Sequence, residues 1–473
     1  MTSSTCTLQR WMMITSSRHY RPQSVGQRMF SQVTPSFQSP FQQWRRSQSA
    51  AAAATTRNED DYVEYATQSS SPSPVYVAAT RQHVGKTSTC LALLSGLQKR
   101  FNRVGFMKPV GQQSLKVQNK AGDWINIDKD AVLVKEHFGL DHLDYQYTSP
   151  ILIPKGYTRD YLDGKIRTEH QEELVQEAYR VIRSTSDVIL CEGTGHCAVG
   201  SIVHASNAQV ARWLDAKMVL VANGGLGNTF DELTLNKVLC DKEGVEIAGV
   251  IVNKVQPDKL DQTREYIQKA MDLHWGNVPL LGCIPDRPFL GCPALSDLER
   301  LFGTQLITGK LHRLRHYQIQ DLNLVATSRQ VFLKTLKNNP FRTLYVSHSS
   351  RTDILLGFLQ DHPKHSGAQD SAHQAALVVT GTDEYPLSEQ VMEMIGAMSE
   401  DEAAAAPPVI LAPHPTHKVM DMIHRHTPKL NFEDAHRANK AIEHYEPHID
   451  FDLLLARAGY PIANHASKQH ARV

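Results

Sequence analysis

The chain has 473 residues, 41% of them hydrophobic, with 50 basic residues against 49 acidic and a formal net charge of +1. That length suggests two to three domains of roughly 150 residues each. No apolar stretch approaches the ~18 residues that a membrane helix needs, and the balanced charge offers no surplus with which to hold nucleic acid, so neither membrane nor nucleic acid is expected as a partner.

Residues 1–58 contain no Asp, Glu or Lys but seven Arg among many Ser, Thr and Gln. This is the composition of an organellar transit peptide, for a mitochondrion first and a plastid second, and as a separate fold it is expected to be disordered. Its removal takes seven of the 50 basic residues and none of the 49 acidic ones, leaving the chain net negative. The seven cysteines form no Cys-x-x-Cys pair and mostly fall in apolar runs, which fits a reduced compartment and small buried hydrophobes rather than zinc or a disulfide framework.

The apolar run Val75-Tyr76-Val77-Ala78-Ala79 leads into Thr80-Arg81-Gln82-His83-Val84-Gly85-Lys86-Thr87-Ser88, where a helix begins. A strand, a tight loop and Gly-Lys-Thr at a helix start are the parts of a phosphate-gripping loop. Gly85 lets the backbone approach a polyphosphate, the N–H groups of Val84 to Ser88 meet its charge, Lys86 reaches the outer phosphates and Thr87 the Mg²⁺. The usual opening glycine is missing, since Ala79 and Thr80 stand there. Cys90, Leu91, Leu94 and Leu97 are expected on one face of the following helix.

Val104–Val110, Asp187–Cys191, Met218–Ala222, Ile247–Val252 and Pro279–Ile284 read as further strands separated by helices. Near-continuous apolar strands alternating with helices predict an α/β fold with a mostly parallel sheet covered on both faces, and ligands at the carboxyl ends of its strands. Lys108 follows the second strand, where it could face a carboxylate or a phosphoryl group, or be an ordinary solvated lysine. Asp128 could cap the helix that runs on through Leu140, and Asp130 could reach a metal. Glu192-Gly193-Thr194-Gly195 places a carboxylate at a strand end before two glycines, suited to Mg²⁺ or its water. The glycines of Asn223–Leu233 suggest another loop on the same edge, with Asn228 or Thr229 capping the next helix. Asn253 follows the fifth strand, as a turn residue or a ligand contact.

Residues 75–305 resemble dethiobiotin synthetase, the cobyrinate amidotransferase synthases and the amino-terminal region of long phosphotransacetylases, through the Val-Gly-Lys-Thr loop, Lys108-Pro109, Asp130-Ala131 and Glu192-Gly193. The resemblance implies that Val84, Gly85, Lys86, Thr87 and Ser88 bind ATP, that Thr87, Asp130 and Glu192 hold Mg²⁺, that Lys108 faces the reacting group and that Asn253 meets adenine. It also implies chemistry in which a carboxylate or carbamate is phosphorylated, a small carboxylate substrate or a regulated enzyme as partner, and a homodimer as a hypothesis. Ser149–Tyr157 does not match the dethiobiotin synthetase substrate segment, and Asn223–Leu233 looks closer to the phosphotransacetylase version.

After residue 310 come the strands Thr343–Val346, Ala376–Val379 and Pro408–Leu411, each followed by a polar loop and a helix. Residues 315–435 resemble the DRTGG domain of long phosphotransacetylases, a smaller α/β unit, with Ser350-Arg351 and Thr380-Gly381-Thr382 in place of its signature residues. Residues 436–473 read as a helical tail, and Thr427-Pro428-Lys429-Leu430 through Ile449 resembles the segment that leads into a transacetylase domain, which lies outside these 473 residues. His362–His373 and Ser399–Pro407 are expected to be disordered loops, and the histidines at 414, 417, 424 and 426 match no metal-site spacing. Together these readings favour a nucleotide-binding regulatory or sensor protein, with an ATP-dependent ligase or cyclising enzyme as the alternative and a partitioning ATPase third.

Overall fold

The computed structural model describes residues 72–317, 322–338, 343–361 and 375–461. The transit-peptide segment and the insert His362–His373 lie outside the described residues.

The strands of the first domain's main sheet are buried along their whole length at β1 (Val75–Ala79) and β2 (Val104–Met107), and nearly so in its other members. Strands without a polar face cannot lie at a solvated surface, and here helices cover them on both sides. In chain order the elements are β1, α1 (Lys86–Gln98), β2, β3 (Val110–Gly111), β4 (Ser114–Gln118), β5 (Trp124–Asp128), α2 (Lys129–Phe138), α3 (Tyr145–Thr148), β6 (Ile151–Leu152), α4 (Tyr157–Leu162), α5 (Thr168–Ser184), β7 (Val188–His196), α6 (Asn207–Trp213), β8 (Lys217–Asn223), α7 (Gly227–Glu243), β9 (Ile247–Val255), α8 (Leu260–His274) and β10 (Leu280–Pro285). Six strands make one parallel sheet in the order β10-β9-β8-β1-β7-β2. Registers such as Val77 with Glu192 and Met107 with Cys191 bring the first loop, Lys108 and Glu192 to the same edge.

Several local expectations are corrected. Strand β7 does not stop at Cys191 but runs through Glu192 to His196, and β9 includes Asn253. Both residues therefore belong to the sheet rather than to turns. Helix α1 is buried from Thr89 to Leu94 and again at Gly96 and Leu97, so it is a core helix and has no single apolar face. Asp128 does cap α2, as its position suggests, its carboxylate accepting from the Asp130 N–H at 2.9 Å. Neither Asn228 nor Thr229 caps α7: Asn228 bonds Glu232, and Thr229 Oγ1 donates to the Asn223 carbonyl. The antiparallel β4–β5 hairpin has no counterpart in the sequence reading, because its strands are short and largely exposed.

A second domain follows, with α9 (Leu295–Phe302), β11 (Leu306–Thr308), β12 (Leu322–Leu324), α10 (Arg329–Asn338), β13 (Leu344–His348), α11 (Thr352–Asp361), β14 (Ala376–Thr380), α12 (Glu389–Gly396), α13 (Glu400–Ala405), β15 (Val409–Ala412) and α14 (Thr416–Arg425). Its sheet runs β11-β15-β14-β13-β12, parallel except for β11. The stretch expected as a disordered loop from Ser399 instead holds α13, which a reciprocal Ser399–Glu402 capping box stabilises. Leu295, Leu298 and Phe302 of α9 pack in the core of this second sheet, so the second domain begins before residue 305.

The tail does not extend away from the body. Helices α15 (Ala435–Tyr445) and α16 (Phe451–Arg457) return to the first domain, where Ala438, Tyr445, Phe451, Leu454 and Leu455 join its core. Ile449 forms an antiparallel bridge with Gly282 of β10, and the Asp450 N–H donates to the Leu281 carbonyl at 2.7 Å. Against α1, the Phe451 ring lies over Gly96 with the Arg100 guanidinium 4.5 Å from its centroid, and Glu446 accepts from Ser95 at 2.8 Å.

A Cβ on Gly96 would meet the Phe451 ring at 2.1 Å. Gly96→Ala is therefore expected to destabilise the protein by about 1–3 kcal/mol in chemical denaturation. The same change in a Phe451→Ala background should cost much less, because the ring it collides with is gone. Strictly additive losses would show that α16 does not press on this glycine.

Candidate functional site

The loop between β1 and α1 begins with Thr80, which is buried and tied back into the fold. Its N–H donates to the Val221 carbonyl at 2.9 Å and its hydroxyl to Glu232 at 3.0 Å. These bonds anchor the loop where the customary glycine is missing. The chain then turns through two left-handed residues, His83 at φ 63° and Gly85 at φ 93°. Gly85 is required twice over, by its φ and because a Cβ there would lie 2.3 Å from Asn253 Nδ2.

The residues expected at the site are brought together. Glu192 has no exposed surface, and its Oε1 accepts from Lys86 Nζ at 2.5 Å and from Thr87 Oγ1 at 2.9 Å. Its Oε2 is buried with no partner among the described residues. Next to this group, Lys108 is buried and ion-paired to Asp130, with Asp128 at 3.2 Å. Burial alone would lower the Lys108 pKa, but Asp130, Glu192 and Asp128 raise it far above the ordinary lysine value, so it is a fixed cation. Asp130 shows the mirror image: burial pushes its pKa up, while Lys108, Lys129 and Lys86 pull it below the usual carboxylate range.

Lys86, Thr87, Ser88, Lys108, Asp130 and Thr194 line a cavity of about 1090 Å³. The second domain and the tail also line it, through His424, Thr427–Leu430, Arg437 and Tyr445. Eight Lys or Arg residues (81, 86, 108, 129, 254, 287, 429 and 437) line the whole cavity against three Asp (128, 130 and 286). A pocket of that charge balance suits an anion carrying several charges.

Asn253 is placed differently from the expectation. It is fully buried and does not line the cavity; its Nδ2 donates to the Val84 carbonyl at 2.7 Å and to Tyr445 Oη at 2.8 Å. It braces the loop from behind in this arrangement. Tyr445 was not anticipated, nor were Asp128 as a partner of Lys108 or Lys429 and Arg437 on the cavity wall. The lysine of Thr427-Pro428-Lys429-Leu430 was visible as part of a recognisable segment; Tyr445 and Arg437 carry no local signal, because only tertiary folding brings α15 to the loop.

No group of three or more His, Cys, Asp or Glu side chains among the described residues is arranged to hold a metal alone. Thr87 lines the cavity, and Glu192, which accepts from its hydroxyl through Oε1, keeps an unpartnered Oε2, oxygen donors of the kind Mg²⁺ takes, whereas Asp130 is engaged by Lys108.

Residues 73–294 match a family model described as an AAA domain. The chain is 24% identical to a phosphate acetyltransferase from Synechocystis sp. over 398 residues, covering 81% of this chain and 51% of that protein, so it spans about half the length of such relatives. It is 26% identical to the ATP-dependent dethiobiotin synthetase BioD of Aromatoleum aromaticum over 218 residues, which are 45% of this chain and 91% of the relative. A plasmid partition protein from Borrelia burgdorferi overlays 46% of this chain and 91% of its own at 14% identity and a TM-score of 0.30, a likeness too slight to argue from.

Two outcomes test the site. Gly85→Ala should cost roughly 1–3 kcal/mol of stability and weaken nucleotide binding in the folded fraction, read by denaturation and by titration; an unchanged affinity would separate this loop from the ligand. The Asp130 carboxylate, depressed in the fold, contributes stability present above its unfolded value of about 4 and lost as pH falls through its lower folded value. Lys108→Met should remove that depression and move the acid-unfolding midpoint, followed by circular dichroism, to higher pH, and a midpoint that stays put would count against the pair.

Proposed function

From a chain that carries a dethiobiotin-synthetase-like P-loop NTPase domain in a phosphotransacetylase-like setting, we propose that this protein binds ATP with Mg²⁺ and uses the bound nucleotide to regulate, rather than to build, a metabolite. Lys86 and the backbone of Val84–Ser88 would hold the phosphates, with Mg²⁺ on Thr87 and Glu192 and Asp130 close by. The ion would supply charge neutralisation at the outer phosphates. Lys86 would have to exchange its Glu192 partner for phosphate, freeing the buried carboxylate for the ion.

The observation that carries the regulatory reading is Tyr445. Its hydroxyl accepts from Asn253 Nδ2, which braces the loop from behind, at 2.8 Å, and its helix α15 also holds Arg437, which is bonded to Asp297 of the second domain at 2.8 Å. A change in the loop on nucleotide binding thus reaches the second domain through one short helix. The second domain, DRTGG-like by resemblance, would report to a partner enzyme. An organelle, a mitochondrion first, is the proposed setting, and a homodimer the proposed assembly, which light scattering on the purified protein would check.

The second reading is an ATP-dependent ligase of the dethiobiotin synthetase type. A specific observation favours it: the buried Lys108 cation opens on the cavity beside Asp130, where it could neutralise a carboxylate or carbamate as it is phosphorylated.

Calorimetric titration with ATP, ADP and GTP, with and without Mg²⁺, should show Mg-dependent ATP binding that Lys86→Ala weakens by about tenfold or more, or about 1.4 kcal/mol. Absence of binding to the wild type would overturn the nucleotide reading. Incubation with ATP, Mg²⁺, diaminopelargonate and bicarbonate separates the two functions, since dethiobiotin formation would establish the ligase and ATP binding without product supports the regulator.

A further inference from the structure

Helix α7 carries more apolar surface than its place in the fold requires. A helix lying on a sheet needs one apolar stripe, and α7 has it in Leu233 and Cys240, which are buried together with Thr229 and Asn236. Its opposite side is not simply polar. Leu235 is 74% exposed and Val238 62%, and Asp231 and Lys242, which flank them, are exposed as well. Single exposed apolar side chains are ordinary; two in succession on one outer stripe of one helix call for a cover.

The helix cannot roll to hide them. Asn236 Oδ1 accepts from the Cys197 N–H at 2.9 Å, and its Nδ2 donates to the Glu232 carbonyl at 2.8 Å. Glu232 in turn accepts from the Thr80 hydroxyl at 3.0 Å. At the start of α7, the Phe230 ring stacks on Trp275, just after α8, with centroids 5.1 Å apart. These contacts pin the inner side and leave the outer stripe facing away. The residues that line the cavity include none from α7, so this surface is separate from the phosphate-loop site.

The order of the stripe identifies what fits it. Asp231, Leu235, Val238 and Lys242 are spaced four, three and four residues apart, the seam spacing of paired helices, over about 16 Å of helix. They are symmetric about the midpoint between Asn236 and Lys237. Against a second copy running the other way, Leu235 meets Val238 and Asp231 meets Lys242, and a two-fold axis repeats each contact. A parallel pairing would instead set Asp231 on Asp231 and Lys242 on Lys242, which like charges oppose. The neighbouring Glu232 and Asp241 are paired within the chain, to Arg81 and Lys237, whereas neither Asp231 nor Lys242 has an ion pair among the described residues.

We propose that the outer stripe of α7 is a two-fold interface between copies of this chain, with the two α7 helices antiparallel. The proposal rests on the homodimer reading and supplies its surface. Burial of Leu235 against Val238 provides the apolar centre, and the Asp231–Lys242 pairs at both ends set direction and register more than affinity. A helix pair alone is a small interface; Leu226, just before α7, and Leu273, in the last turn of α8, are exposed and available to widen it.

Sedimentation velocity of the full-length protein over a dilution series tests this surface. Wild type should dimerise. Asp231→Lys and Lys242→Asp each place like charges opposite one another at both ends, and each should weaken the dimer about tenfold. An equimolar mixture of these two variants should dimerise as wild type does, because the mixed pair again sets Lys against Asp at both ends. Leu235→Ser combined with Val238→Ser should weaken the dimer at least as much, with the circular dichroism of the folded chain retained, since all these side chains are exposed. A wild-type monomer throughout the series would overturn the homodimer and this surface together. A dimer that no variant weakens, or whose charge variants fail to restore each other on mixing, would overturn the surface while leaving the homodimer standing. None of these outcomes bears on ATP binding, which calorimetry reads separately.

Discussion

A carboxylate with no exposed surface governs this molecule's chemistry. Glu192 lies inside β7, opposite Val77 of β1, and a buried charge is tolerated only when paired and hydrogen-bonded. Lys86 and Thr87 satisfy one of its oxygens, which fixes the start of α1 against β7 and so the shape of the loop between. The cost of burying Glu192 is thus offset by the same residues that a phosphate chain would compete for. Lys86 and Thr87 are thus held in place by an internal anion, whose second oxygen is left without a partner among the described residues.

The parallel sheet and the convergence of Lys86, Lys108, Asp130 and Glu192 were legible in the sequence because each follows from local pattern. Buried strands read as apolar runs, and in a parallel sheet every strand delivers its carboxyl end to one edge. What was not legible depended on register and on distance along the chain. Whether β7 ended at Cys191 or continued to His196 is decided by pairing with β1, not by the glycines that resemble a turn. Asn253 looked like a ligand contact because its type fits adenine, yet Tyr445 and the Val84 carbonyl, far away in sequence, take up its amide. Ser399 to Pro407 looked disordered from its composition, but a capping box and a run of alanines are sufficient for a short helix.

The tail is the part whose role is least evident from its own residues. Helix α15 is amphipathic, as many surface helices are, but its buried side is shared between two neighbours. Tyr445 faces the phosphate loop, while Arg437 binds the Asp297 carboxylate at the start of the second domain and the Cys292 carbonyl at the end of the first. A buried ion pair of this kind is weak evidence for stability but good evidence for register. It fixes one position of α15 relative to both domains, and the cavity between them has a defined shape as a result.

The return of α15 and α16 also makes the nucleotide domain discontinuous in the chain. The matched family segment ends at residue 294, but Phe451, Leu454 and Leu455 fill the surface of α1 and its neighbours. During translation, the second domain emerges before α15 and α16 do, so α1 stays uncovered until those two helices follow it. A chain cut before residue 435 would retain the Gly-Lys-Thr sequence without Tyr445, whose hydroxyl accepts from the Asn253 amide that braces the loop.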